Sequence, residues 1–267
     1  MGIKRMGKLC YYEKNNFNKK KETVVFLHGL TGTSDVWEKY YDFFKKKYNV
    51  IRIDLLGHGR SKRPYRFSKY SLNSLALNAL DVLDKEKIEN AHFICHSYSF
   101  LISLELYRMR KKMFRSFVFI SPYAPNKNRF TWKLSILASY PFGALFYFMP
   151  VIGKYSLSDY KTNLITKEVD LKRAFWDAVN TGFKSWVGLN YYAIRFDDLE
   201  YAKEIDVPVF IMSGENDGVI LWDDVKRIAK RIKNVKLMKL KGKDHIILYP
   251  YFDELVVYIE EFLKKVK

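Results

Sequence analysis

Ser97, Asp217 and His245 stand at widely separated points of the sequence, and together these three side-chain types can cleave an acyl bond. A serine hydroxyl is a poor nucleophile at neutral pH. It needs a base to take its proton, and the base needs an acceptor that fixes its tautomer and stabilises its charged form. Ser97 lies in Phe93-Ile94-Cys95-His96-Ser97-Tyr98-Ser99, where an apolar run passes straight into a helical pattern. A sharp turn there lifts the serine above a sheet in a strained conformation, at a helix N-terminus whose Tyr98 amide can face an anion. Such a turn requires small residues two before and two after the serine. Cys95 and Ser99 are small, but each carries a Cβ where the usual pattern has glycine. A serine in a strand–helix loop can also be a simple cap. Cys95 is a rival nucleophile, although a free cysteine at the end of an apolar strand reads as a core residue.

The base must come from five histidines. His92 begins an apolar run and reads as structural, while His28 and His58 sit in the glycine-flanked stretches His28-Gly29 and Gly57-His58-Gly59. His96 adjoins Ser97, but neighbouring residues at a turn point apart, so it suits a pocket wall better than the role of base. His245 follows the last apolar run, in Gly242-Lys243-Asp244-His245, where it can reach back towards Ser97. The acid is read as Asp217, in Gly214-Glu215-Asn216-Asp217-Gly218 after the preceding run. Asn-Asp-Gly is ordinary turn chemistry by itself. Glu215 is the nearest rival and Asp54 a poorer one. His28-Gly29-Leu30-Thr31-Gly32 follows the first clear strand, and a glycine there lets an amide face the nucleophile. The Leu30 and Tyr98 amides are the expected oxyanion donors.

These residues need a scaffold that gathers them. Apolar runs at Thr23 to His28, Val50 to Asp54, Ala91 to Cys95, Phe117 to Ile120, Val209 to Met212 and Val235 to Leu240 predict buried strands. Helical spacing predicts helices over about 35–47, 71–85, 98–110, 221–232 and 251–264. Buried strands alternating with helices imply a mostly parallel sheet covered on both faces, with ligands beyond the carboxyl ends of the strands. His28, Asp54, Ser97, Asp217 and His245 each follow a strand, so one end of the sheet collects them. The alternation breaks over 123–199, where Trp132, Phe146, Trp186 and other aromatics lie between helical pieces interrupted by Pro and Gly. The expected organisation is a core of residues 1–122 and 200–267 with a helical cap of 123–199 inserted after the strand ending near Ile120. Gly29, His96, Trp132, Phe146 and Trp186 are the candidate substrate-binding residues.

The 267 residues include 47 Lys and Arg against 29 Asp and Glu, a net charge of +18. That favours acidic partners, but the basic residues are scattered in short runs and no nucleic-acid-binding motif is present. The reading is therefore no nucleic acid, and a weak attraction to anionic membrane surfaces. Leu134 to Ile152 is apolar, but its prolines and glycines argue against a spanning helix. The two cysteines show no metal-ligand spacing, and residues 1–8 lack a signal-peptide core, so no metal and a cytoplasmic location are expected. The oligomeric state is not readable.

His28-Gly29-Leu30-Thr31-Gly32, Asp54-Leu55-Leu56-Gly57-His58-Gly59-Arg60-Ser61, the turn around Ser97, Gly214-Glu215-Asn216-Asp217, and His245 with Pro250 resemble the α/β-hydrolase superfamily in its cap-bearing esterase/lipase-like branch. The order Ser, Asp, His matches that family. The resemblance implies an α/β-hydrolase fold, hydrolysis through an acyl-enzyme on Ser97, and no cofactor. It also implies that the Asp54 loop shapes the fold and is not catalytic. A serine at 97 argues against epoxide hydrolases and haloalkane dehalogenases, which use aspartate there. The expected substrate is a small-molecule carboxylic ester with an apolar group. Carbon–carbon hydrolysis, cofactor-free perhydrolysis and a non-catalytic binding role are the alternatives.

Overall fold

Alternate residues of the apolar runs face opposite ways, so each buried strand feeds two cores. The computed structural model describes residues 3–145 and 178–266. Its strands are β1 (Ile3–Met6), β2 (Tyr11–Lys14), β3 (Thr23–Leu27), β4 (Asn49–Ile53), β5 (Ala91–His96), β6 (Phe114–Ile120), β7 (Val209–Gly214) and β8 (Val235–Leu240). They form one sheet in the order β1-β2-β4-β3-β5-β6-β7-β8. β1 and β2 are antiparallel to their neighbours, and every other pairing is parallel.

Helices cover both faces. Val25 and Leu27 of β3, Phe117 and Phe119 of β6, and Ile211 of β7 pack with α2 (Leu72–Lys85), α3 (Ser99–Met109) and α6 (Trp222–Ala229). Val24 and Phe26, Val118 and Ile120, and Phe210 and Met212 turn the other way, onto α1 (Glu38–Phe44) and α7 (Phe252–Lys265). Ser71 caps α2 by accepting from the Ser74 amide. α4 (Phe130–Leu145) and α5 (Phe183–Ile194) lie in the chain between β6 and β7 and pack on each other. Among the described residues no helix is long and apolar enough to cross a membrane.

The parallel strands agree with the sequence reading to within a few residues. β1 and β2 were not expected. Ile3–Met6 is mostly exposed and carries Lys4 and Arg5, so it lacks the apolar signature of a core strand. The opposite border, β8, is exposed at three of its six residues, Lys236 and Lys239 among them.

Candidate active site

β5 ends at His96 and α3 starts at Ser99, leaving two residues to reverse the chain. Ser97 takes the left-handed region with φ +49°, a conformation that costs a non-glycine residue roughly 1–3 kcal/mol. Surrounding hydrogen bonds hold it there. Its amide donates to the Ile120 carbonyl at 2.9 Å, and its carbonyl accepts from the Phe100 and Tyr123 amides, each at 3.1 Å. The residue is 8% exposed.

Hydroxyls occupy the crowded places around this turn. Ser99 Oγ donates to the Leu27 carbonyl at 3.0 Å and the His96 carbonyl at 2.9 Å, tying the turn to β3. Ser103 Oγ lies 3.1 Å from Cys95 Sγ and donates to the Ser99 carbonyl at 2.7 Å. The two departures from glycine are thus packed and bonded. Cys95 is buried. Burial pushes its thiol up to about 12, with Ser103 and Ser99 pulling only partly back. It holds no thiolate at neutral pH, which argues against it as nucleophile.

The candidate base and acid come from the loops after β8 and β7. The Asn216 amide donates to the Lys243 carbonyl at 2.8 Å and the Glu215 amide to the Leu240 carbonyl at 2.9 Å, lacing the loops together. Gly214 is required at the crossing, because a β-carbon there would fall 2.3 Å from the Asp244 carbonyl oxygen and 2.4 Å from that of Lys243. His245 Nδ1 lies 2.8 Å from Asp217 Oδ2, and Asp217 Oδ1 accepts from the Val219 and Ile220 amides at 2.9 and 2.7 Å. Burial alone would raise the Asp217 carboxyl. The hydrogen bond and charge of His245, then the Ile220 and Val219 amides, outweigh it and set the net direction downward. With Asp217 accepting at Nδ1, the imidazole tautomer that carries its proton on Nδ1 has its lone pair on Nε2. Glu215 instead pairs with Lys239 at 3.0 Å and is exposed.

The His245 ring centroid is 5.3 Å from that of His96, so the candidate base borders the turn that carries Ser97. His96 is held neutral, pushed down to about 3 by burial and then by the charge of His245. Ser97 Oγ and His245 Nε2 are not hydrogen-bonded to each other. Such contacts often tighten only with substrate present.

Gly29 brings the loop after β3 against the same turn. A β-carbon there would lie 2.8 Å from His96 Nδ1 and 3.3 Å from Ser97 Cβ, so only glycine permits the approach. Among the described residues neither the Leu30 nor the Tyr98 amide has an acceptor. Sequence reasoning missed the strut behind this loop. His28 Nδ1 lies 2.8 Å from the Gly29 carbonyl, and His28 Nε2 accepts from the Leu55 amide at 2.9 Å, which places the ring proton on Nδ1. A histidine at a strand end beside a glycine was the available signal. Asp54 accepts from the Ser34 and Arg60 amides at 2.6 and 2.9 Å and binds no catalytic candidate, in keeping with a shaping role.

Trp186 packs against the core cluster that contains Tyr98. Trp132 donates its indole N–H to the Ile194 carbonyl at 2.7 Å, joining α4 to α5. Phe146 lies outside the described residues. Among the described residues no group of three or more His, Cys, Asp or Glu is arranged to hold a metal ion.

A family model described as alpha/beta hydrolase fold matches residues 22–250. The chain is 32% identical over 112 residues to a probable lysophospholipase, BODYGUARD 2, of Arabidopsis thaliana, a match covering 39% of this chain and 24% of the relative. The chain thus spans only about a quarter of that relative. It is 23% identical over 233 residues to a putative carbamate hydrolase, RutD, of Pseudomonas syringae pv. syringae (strain B728a), covering 84% of this chain and 86% of the relative. Among solved structures, the enol-lactonase from Burkholderia xenovorans LB400 superposes with a TM-score of 0.73 at 19% identity, covering 96% of each chain, and this likeness speaks to the fold.

Proposed function

Because the chain belongs to the α/β-hydrolase-fold family, we propose that it is a serine hydrolase cleaving a carboxylic ester with an apolar group. Ser97 Oγ attacks the ester carbonyl while His245 Nε2 takes its proton. The tetrahedral oxyanion accepts hydrogen bonds from the Leu30 and Tyr98 amides. The C–O bond then breaks, His245 returns the proton to the leaving alcohol, and the acyl group stays on Ser97. Water, deprotonated by the same imidazole, releases the acid and frees the serine.

The observation that carries this reading is the 2.8 Å contact of His245 Nδ1 with Asp217, on a ring 5.3 Å from that of His96, whose neighbour Ser97 holds φ +49°. The two acceptor-free amides support it, because a preorganised donor pair favours the charge that develops at an acyl carbon. Lysophospholipase is the name of an ester-cleaving enzyme, which favours an ester over a carbon–carbon bond.

Two measurements test this together. A panel of p-nitrophenyl esters of increasing acyl length should be hydrolysed by the wild type, and a fluorophosphonate probe should label the wild type but not Ser97→Ala. Labelling without ester turnover would move the reading to another bond. Ligand binding with neither labelling nor turnover would move it to a non-catalytic protein.

A further inference from the structure

α4 is attached by one side and apolar on the other. Its inner side carries Trp132, bonded to the Ile194 carbonyl of α5, and the buried Ser139. On the other side Phe130 is 72% exposed, Leu134 49% and Leu137 69%. The spacing i, i+4, i+7 places these three on one stripe, bordered by Tyr140 and Lys133. Four of the twelve exposed large apolar side chains among the described residues therefore lie on this helix, when scattered single exposures would be the ordinary case.

The electrostatics select the occupant. The helix Phe130–Leu145 contains no Asp or Glu. Lys133 has no acidic partner among the described residues. Lys127 and Arg129 flank the N-terminus, though they face Asp197 at 3.9 Å and Asp224 at 3.0 Å respectively. The chain as a whole carries +18. Sixteen residues make about 24 Å of helix, and Pro141 lies inside it; spanning a bilayer takes roughly twenty apolar residues. An apolar stripe with a cationic border, too short to cross, has the make-up of a segment lying in the plane of a lipid interface.

We propose that the outward face of α4 docks on an anionic lipid surface, with Phe130, Leu134 and Leu137 entering the acyl boundary and Lys133 meeting the headgroups. This inference rests on α4 and its charge, and stands apart from the choice of ester substrate.

Cosedimentation of the full chain with vesicles tests it. Vesicles of phosphatidylcholine with about 30% phosphatidylserine should bind about tenfold more protein than phosphatidylcholine alone, and about 0.5 M NaCl should erase most of that difference. Phe130→Ser/Leu134→Ser/Leu137→Ser should lose about tenfold or more of the binding to anionic vesicles. Lys133→Glu, which keeps the apolar stripe, should lose about fivefold at low salt and little at high salt. Hydrolysis of a soluble p-nitrophenyl ester by each variant separates the two readings. Absence of turnover in every protein, with vesicle binding intact, removes the ester reading and leaves this one standing. The proposal is overturned if wild type does not bind anionic vesicles, or if both variants bind as wild type does. It is also overturned if wild type is a dimer in sedimentation that the triple substitution converts to monomer, which would assign the stripe to a second copy.

Discussion

A serine, a histidine and a carboxylate gather at each end of the same parallel strands. At the carboxyl end are Ser97, His245 and Asp217. At the amino end, His92 of β5 holds Ser116 of β6 at 2.7 Å through Nδ1 and Glu22 at 3.4 Å through Nε2, with Arg115 closing on Glu22 at 2.8 Å. Judged by residue types and hydrogen bonds alone, the amino-end group is the more complete chain. Its setting is different. Ser116 and His92 are fully buried, and they are register partners inside the sheet. Ser97 stands in a strained turn at a helix start, with free amides beside it. The rings are also reversed: Nδ1 of His245 meets the acid, whereas Nδ1 of His92 meets the serine. The constellation therefore does not define a catalytic site. On the proposed mechanism, access to a reacting atom, a lone pair left on the base and donors awaiting a charge make the difference.

The contrast can be broken most sharply by exchanging the two histidines' fates. On the proposed mechanism, His245→Ala should lower kcat by roughly a millionfold, the scale expected when a triad base is removed, while His92→Ala lowers stability and leaves turnover within a few-fold. Ester turnover measured below the melting temperature of both variants checks this, and equal losses would dissolve the distinction. A smaller effect is expected at Gly29→Ala, whose methyl would press on His96 Nδ1 from 2.8 Å and displace the Leu30 amide. It should cost about 100- to 1,000-fold in kcat with less change in KM, whereas Ser116→Ala should not alter either constant. The smallest effect sharpens the comparison from the amino end. Burial lowers His92 below its ordinary value of 6.5, against the pull of Glu22, and burial likewise lowers His28, His58 and His96. Below about pH 6.5 the unfolded chain therefore takes up protons that the folded one refuses, and stability falls as pH drops until the folded-state values are reached. Urea midpoints between about pH 7.5 and about pH 5.5 should fall, and His92→Asn should flatten that fall by at most about 1.4 kcal/mol per pH unit.

The gathering of the candidate residues at the carboxyl ends of the strands was legible because its cues are local. An apolar run stops, a small or polar residue follows, and the next run does the same, so strand ends can be aligned without knowing their order. The reading of Asp217 as the acid left Glu215 as a rival, because two residues in one loop differ in which way the loop turns; in the structure Asp217 meets His245 and Glu215 pairs with Lys239. The His92–Ser116–Glu22 group was not legible. It depends on the register of β5 against β6 and on the start of β3, three segments whose spacing in sequence carries no trace of their adjacency. The bonding of Ser99 to the Leu27 carbonyl was hidden for the same reason: the hydroxyl's partner lies 72 residues away. β1 escaped notice because an edge strand need not be apolar, and β2 because its four residues, Tyr11–Lys14, end in Glu13 and Lys14 and make no apolar run.

The lysines and arginine on the two outermost strands have a consequence for crowded conditions. A strand arriving from another molecule to extend the sheet would have to lie beside Lys4 and Arg5 at one border, or Lys236 and Lys239 at the other. Like-charged chains meeting there repel one another, and desolvating an ammonium group costs more than a few backbone hydrogen bonds return. The open sheet thereby carries its own deterrent to growth into fibrils, written into the two strands that contribute least to its core.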